Sequence, residues 1–182
     1  LKRMLAYSAI AHIGYALLGL SAGTATAYAM SLFYLLAYGL MALTAFGLLV
    51  VVSKSGQVEA INDLRGLNAR SPWLALVMLL AMFSMAGIPP TVGFFAKLGI
   101  LLGLIGADQL WMATLAIIFA IIGAYYYLNV IKVMYFEEPE PTLPRLMVAP
   151  DAYLALSINA ILLLVLGLFP SQLMELAQTA FF

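Results

Sequence analysis

Met85-Ala86-Gly87-Ile88-Pro89-Pro90-Thr91-Val92-Gly93-Phe94-Phe95-Ala96-Lys97 lies inside a run from Trp73 to Ile105 that holds no charge other than Lys97. As one straight helix, the 33 residues of that run would be about 50 Å long, well beyond a hydrocarbon core of about 30 Å. Steep tilt would absorb some of the excess, but Gly87, Pro89 and Pro90 at the centre favour an interrupted helix. Neither proline carries an amide hydrogen, so the carbonyls of Met85 and Ala86 lose their helical donors at membrane depth. Irregular backbone at that depth is tolerated where protein or a water-filled cavity surrounds it, and such breaks recur at ion and substrate sites. The plainer alternative is a proline kink that only shapes packing.

Lys97 follows Pro90 by seven residues and precedes Ile105 by eight. A lysine near a membrane surface snorkels its ammonium to water. One held deeper is costly and marks a functional position by default. Dry surroundings favour the neutral amine, whereas water or a carboxylate favours the ammonium, and passage between those states is what a proton relay requires.

The rest of the chain fits a membrane setting. Hydrophobic residues are 65% of the 182 positions and charged residues 9%, against roughly half and a quarter in soluble domains. Five apolar spans emerge: Met4 to Leu20, Tyr28 to Val52, Pro72 to Ile105, Leu110 to Tyr135, and Tyr153 to Phe169 with an interfacial tail to Phe182. The fold class expected is an all-α membrane protein of five transmembrane helices, the third one discontinuous, forming a single domain over residues 1–182. Residues 54–71 place Glu59, Asp63, Arg65 and Arg70 around Ile61, Leu64 and Leu67, a spacing that suits an amphipathic connector on the membrane surface. Residues 137–150 form a proline-rich link whose Glu137, Glu138 and Glu140 are expected to be solvated.

Lysine and arginine give the orientation. With the N-terminus on the cytoplasmic side, Lys2, Arg3, Lys54, Arg65, Arg70, Lys132 and Arg145 all fall inside, and the opposite segments carry only Asp108 and Glu175. The charges form no long basic run for nucleic acid. With no cysteine and a single histidine, thiolate, iron–sulfur and multi-histidine sites are excluded. The chain opens on Leu1-Lys2-Arg3 without a signal-type cleavage site, which suggests a piece of something longer.

Among polar residues within spans, His12 shares a helical face with Ser8 and Tyr15 and is either a step in a polar pathway or a hydrogen-bonded packing residue. Ser31, Tyr34 and Tyr38 line one face of the second span, where packing is the better fit. Tyr125, Tyr126 and Tyr127 point in different directions, leaving room for one to face a polar interior. Gly99 and Gly103 are spaced for close helix approach.

Two stretches, Leu1 to Tyr15 and Met85 to Lys97, resemble signatures shared by the antiporter-like subunits of respiratory complex I and the Mrp-type cation/proton antiporters. With Asp63 to Leu67 and Tyr125 to Leu128, the chain is most similar to the N-type subunits of bacterial NADH-quinone oxidoreductase. The resemblance covers essentially the whole chain. It implies that the five helices are the last five of fourteen, that Lys97 and His12 are proton-relay residues, and that Gly87, Pro89 and Pro90 form the helix break. It further implies proton translocation coupled to electron transfer from NADH to a quinone, with flavin and iron–sulfur clusters in other subunits and no cofactor or metal on this chain. The partners expected are neighbouring antiporter-like and other membrane subunits in a bacterial inner membrane. A sodium/proton antiporter subunit and a plain membrane anchor are the other readings.

Overall fold

A computed structural model describes residues 1–54, 60–139 and 148–181. Its described residues are helical, without strands. α1 spans Lys2–Ser21 and α2 Ala25–Lys54, and between them Thr24 Oγ1 accepts the Ala27 amide at 3.2 Å to start α2. α3 is a single turn, Leu67–Arg70. α4 (Pro72–Ala86) and α5 (Val92–Gly106) have fifteen residues each. α6 spans Leu110–Phe136, α7 Pro150–Leu168 and α8 Pro170–Gln178.

Four helices, α1, α2, α6 and α7, are long and apolar enough to cross a membrane. α4 and α5 are individually too short, yet they complete a fifth crossing together, as their register on α2 shows. Methyl groups added at Gly103 and Gly99 of α5 would meet Ala27 and Met30, near the start of α2, at 3.2 and 2.9 Å. Near the other end of α2, a methyl on Gly47 would meet Leu156 of α7 at 2.9 Å. Trp73, at the start of α4, donates its indole hydrogen to the neighbouring Ser157 at 2.7 Å. The α4–α5 pair therefore runs antiparallel to α2 along most of its length, as one span with a gap at residues 87–91. The expected discontinuous third helix is present.

α2 is the central helix, packed against α1, α4, α5, α7 and α8. Phe33, Tyr34, Met41 and Leu48 along it are buried. Asn159 of α7 fastens to it, donating to Leu40 O at 2.8 Å and Thr44 Oγ1 at 2.7 Å. The tail after Phe169 folds as α8, with Ala177 buried and Phe181 in ring contact with Tyr28. Outward faces carry large apolar side chains, including Ile117, Ile118 and Ile121 of α6.

The connector expected to be amphipathic over residues 54–71 is described in part. Residues 55–59, Glu59 among them, lie outside the described residues, and the remainder is a 3₁₀ turn, Ile61–Leu64, followed by α3. Gly66 separates the two with φ +58°, a left-handed conformation that ends a helix. Its amide donates to Val133 O at 3.2 Å, and Arg65 Nε pairs with Glu137 at 2.8 Å. Glu137 thus ties the connector to the end of α6 through a partly exposed ion pair. Glu138 is exposed, while Glu140 and Arg145 lie outside the described residues.

Two glycines make the gap compact. A methyl on Gly93 would collide with the Ser84 carbonyl oxygen, and one on Gly167 of α7 would collide with Pro90 O. Both obstacles are backbone and cannot swing away. Gly93→Ala is expected to cost about 1–3 kcal/mol or more through overpacking, whereas Gly39→Ala, with open space around it, is neutral. Thermal unfolding of the two variants in detergent measures the difference.

Candidate functional site

α4 stops where its sequence stops supplying donors. Gly87 ends it in the left-handed conformation, φ +83°, with its amide on the carbonyls of Phe83 and Ser84 at 3.0 Å each. Ile88 N reaches Phe83 O at 2.9 Å. The next two residues are prolines, joined by a cis bond. Ser84 then serves the other half of the span: its hydroxyl accepts the Gly93 amide at 3.1 Å, satisfying an N–H at the start of α5.

The carbonyls of Met85 and Ala86 are the two that proline leaves without amide donors. Lys97 takes both. Its Nζ donates to Met85 O at 2.8 Å and to Ala86 O at 2.9 Å. The stem lies over Gly87, where a methyl group would meet Lys97 Cδ at 2.9 Å. A glycine is therefore required at position 87 by both the turn and the side chain crossing it. Lys97 is half-buried, and the third notable contact of its ammonium is the Tyr15 ring, with Nζ 5.5 Å from the centroid. No acidic group appears among these contacts.

His12, 3% exposed, lies in an aromatic box. Its ring stacks on Tyr38 with centroids 4.7 Å apart. Nδ1 is 2.7 Å from the Tyr34 hydroxyl and Nε2 is 3.3 Å from the Tyr127 hydroxyl. Tyr127 in turn meets Ser8 Oγ at 2.5 Å. Tyr15 donates its phenol hydrogen to Ala116 O on α6 and stacks on Tyr34 with centroids 5.8 Å apart. Ser8, His12, Tyr15, Tyr34 and Tyr127, from three helices, thus form one polar cluster whose Tyr15 ring touches the Lys97 ammonium.

Of the residues expected from sequence, Lys97, Gly87, Pro89 and Pro90 meet at the gap, and His12 belongs to the adjoining cluster. Ser31 stands apart, its hydroxyl turned back to Ala27 O at 3.0 Å. Tyr34 and Tyr38, better suited to packing by sequence alone, are the walls of the histidine site. Tyr127 is buried while Tyr125 and Tyr126 are exposed, a choice among three consecutive tyrosines that depends on how α6 is rotated. Ser84 and Gly167 gave no local signal. No group of three or more potential metal ligands occurs among the described residues.

Comparison with known proteins places this arrangement. A transmembrane family described as NADH:quinone oxidoreductase/Mrp antiporter matches residues 1–123. NADH-quinone oxidoreductase subunit N of Thioalkalivibrio sulfidiphilus (strain HL-EbGR7) is 51% identical over 181 residues, covering 99% of this chain and 38% of that protein. The Coxiella burnetii (strain RSA 493 / Nine Mile phase I) protein of the same name is 50% identical over 182 residues, with 100% and 38% covered. Respiratory complex I from Thermus thermophilus with bound aureothin contains a chain that superposes with a TM-score of 0.83 at 35% identity, covering 96% of this chain and 39% of that one. A chain of the Mrp complex from Dietzia sp. DQ12-45-1b shares the fold with a TM-score of 0.89 at 22% identity, covering 97% and 41%. The chain spans about 38% of the length of the curated relatives it matches. With a broken span, its bridging lysine and a family match over most of its length, the chain is a multi-pass membrane protein that belongs to the NADH:quinone oxidoreductase/Mrp antiporter transmembrane family.

Proposed function

We propose that this chain carries a proton-relay site of a proton-translocating subunit of NADH:quinone oxidoreductase, coupling electron transfer in other subunits to proton movement across the membrane. The observation that carries it is the seating of Lys97 Nζ on the two carbonyls freed by Pro89 and Pro90. An ammonium there has two strong acceptors, and a neutral amine keeps donors for both but loses the charge assistance. Protonation and the hold of α5 on α4 are thereby linked. His12, in the adjoining cluster, is the second relay group. NADH and quinone chemistry, with flavin and iron–sulfur clusters, belongs to other subunits, and neighbouring membrane subunits are its partners.

The subunit resides in a bacterial inner membrane with the start of this chain on the cytoplasmic side. Supporting that orientation, Lys2, Arg3, Arg65, Arg70 and Lys132 belong to one end of the bundle. There Met4 of α1 and Ile61 of the connector border one groove, and Arg65 is tied to Glu137 after α6. A sodium/proton antiporter is the second reading, because the Mrp chain shares the fold.

Lys97→Arg keeps hydrogen-bond donors for both carbonyls but introduces a guanidinium that does not deprotonate in proteins. In the assembled oxidoreductase, this variant is expected to retain assembly while protons moved per NADH oxidised, or the coupled rate, fall sharply. Normal stoichiometry and rate would remove the relay role. Sodium added to proteoliposomes of the same enzyme is expected to leave proton movement unchanged, and sodium-dependent exchange without NADH oxidation would favour the antiporter.

Lys97→Met leaves two buried carbonyls without donors, each costing about 1–3 kcal/mol. Its thermal midpoint is expected to fall below that of Lys97→Arg, and equal midpoints would show that other groups satisfy the carbonyls.

A further inference from the structure

A groove with a cavity of about 920 Å³ runs between α1 and α6, two helices that touch each other little. Its walls are mostly apolar, among them Leu18, Trp111, Leu115 and Phe119, and Ser8 and Tyr127 are at its lining too. These are the two hydroxyls joined at 2.5 Å, and Tyr127 is the one that reaches His12. The groove and the histidine site therefore share a pair of hydrogen-bonding groups, and that pair has no part in holding the Lys97 ammonium.

From the groove inward the polar atoms are Ser8 Oγ, Tyr127 Oη, His12 Nε2, His12 Nδ1 and Tyr34 Oη, with separations of 2.5, 3.3 and 2.7 Å across the three contacts between residues. Each hydroxyl both donates and accepts, and a neutral imidazole has one nitrogen of each kind. All three bonds can therefore point the same way in either direction. A serine, two tyrosines and a histidine with both nitrogens engaged thus make a chain whose polarity reverses as a whole.

We propose that Ser8 and Tyr127 are proton-relay residues that connect His12 to the groove between α1 and α6, which rests on the proton-translocating reading given above. In the inward direction, a hydronium ion in the groove gives its proton to Ser8 Oγ and leaves as water, while the Ser8 hydrogen passes to Tyr127 Oη. The Tyr127 hydrogen passes to His12 Nε2, and the Nδ1 hydrogen passes to Tyr34 Oη. Tyr34 releases its own hydrogen to a water molecule on the Lys97 side, which delivers it to the neutral amine. One O–H or N–H bond breaks at each residue as another forms, so one proton enters and one leaves. The histidine changes tautomer, and rotation of the hydroxyls with an imidazole tautomer shift restores the starting polarity. The opposite direction uses the same atoms in reverse. Tyr15 takes no step, because its hydrogen is held by Ala116 O.

The test uses the full-length subunit in the assembled oxidoreductase, in proteoliposomes, with NADH oxidation and proton uptake recorded together. Tyr127→Phe keeps the ring and removes the hydroxyl. Ser8→Val removes the other hydroxyl and fills its space against water, and Ser8→Thr puts one back. Tyr127→Phe and Ser8→Val are each expected to lower coupled proton movement on the order of a hundredfold, the lower end of what a positioned proton-transfer group contributes. Ser8→Thr is expected to retain it, as is Tyr125→Phe on the exposed face. A structural role for the Tyr127 ring would spare Tyr127→Phe, and a role limited to orienting His12 would spare Ser8→Val. Full proton movement in either variant, while Lys97→Arg abolishes it, overturns the Ser8–Tyr127 route and leaves the lysine site standing. Full proton movement in Lys97→Arg overturns the underlying reading instead.

Discussion

Two carbonyl oxygens without amide partners, on Met85 and Ala86, set the terms for the surrounding structure. In water they would be solvated at little cost, but within an apolar span each needs a donor from the protein. Lys97 supplies both from the following helix. The bridge accounts for several otherwise unrelated residues: Gly87 admits the lysine stem, Ser84 satisfies an amide at the start of α5, Gly93 lets α5 close on α4, and Gly167 lets α7 press on the prolines. A charge that is costly in a membrane thereby offsets a backbone defect that would be costly without it. Neither element is easily kept alone, and together they join a titratable group to the geometry of an interrupted helix.

The fold was largely legible because lipid imposes simple rules. Lengths of apolar sequence marked the spans, and Pro89 and Pro90 marked the interruption, along with the identity of the two carbonyls left bare. Lys97 stood out as the lone charge of its run. That Lys97 itself answers those carbonyls was not visible, since it depends on α5 settling beside the end of α4. Gly93 and Gly167 make that approach possible, but glycine is frequent throughout transmembrane helices, so neither stands out in an apolar stretch.

The histidine site was only half readable. Helical spacing put Ser8, His12 and Tyr15 together on one face, because residues on one helix obey its period. Which residues come from the other helices depends on rotations that composition does not encode. Of Tyr125, Tyr126 and Tyr127, all identical in chemistry, the last faces His12 because α6 packs through Val130, Ile131 and Met134, which are buried. On α2, Tyr34 and Tyr38 have the i, i+4 spacing of ordinary packing residues and turn out to be partners of the imidazole. In the connector, Gly66 carried no signal of its own: its left-handed backbone separates two short helical turns, and its amide pins them to α6.

Tyr15 has a consequence of its own. Its phenol is anchored to the backbone of α6, and its ring is a hydrocarbon plate that meets both the ammonium of Lys97 and the ring of Tyr34. Such a plate stabilises a cation by its π face yet offers no exchangeable hydrogen toward it. It therefore holds the charge close to the cluster while its own hydrogen stays on the carbonyl of Ala116.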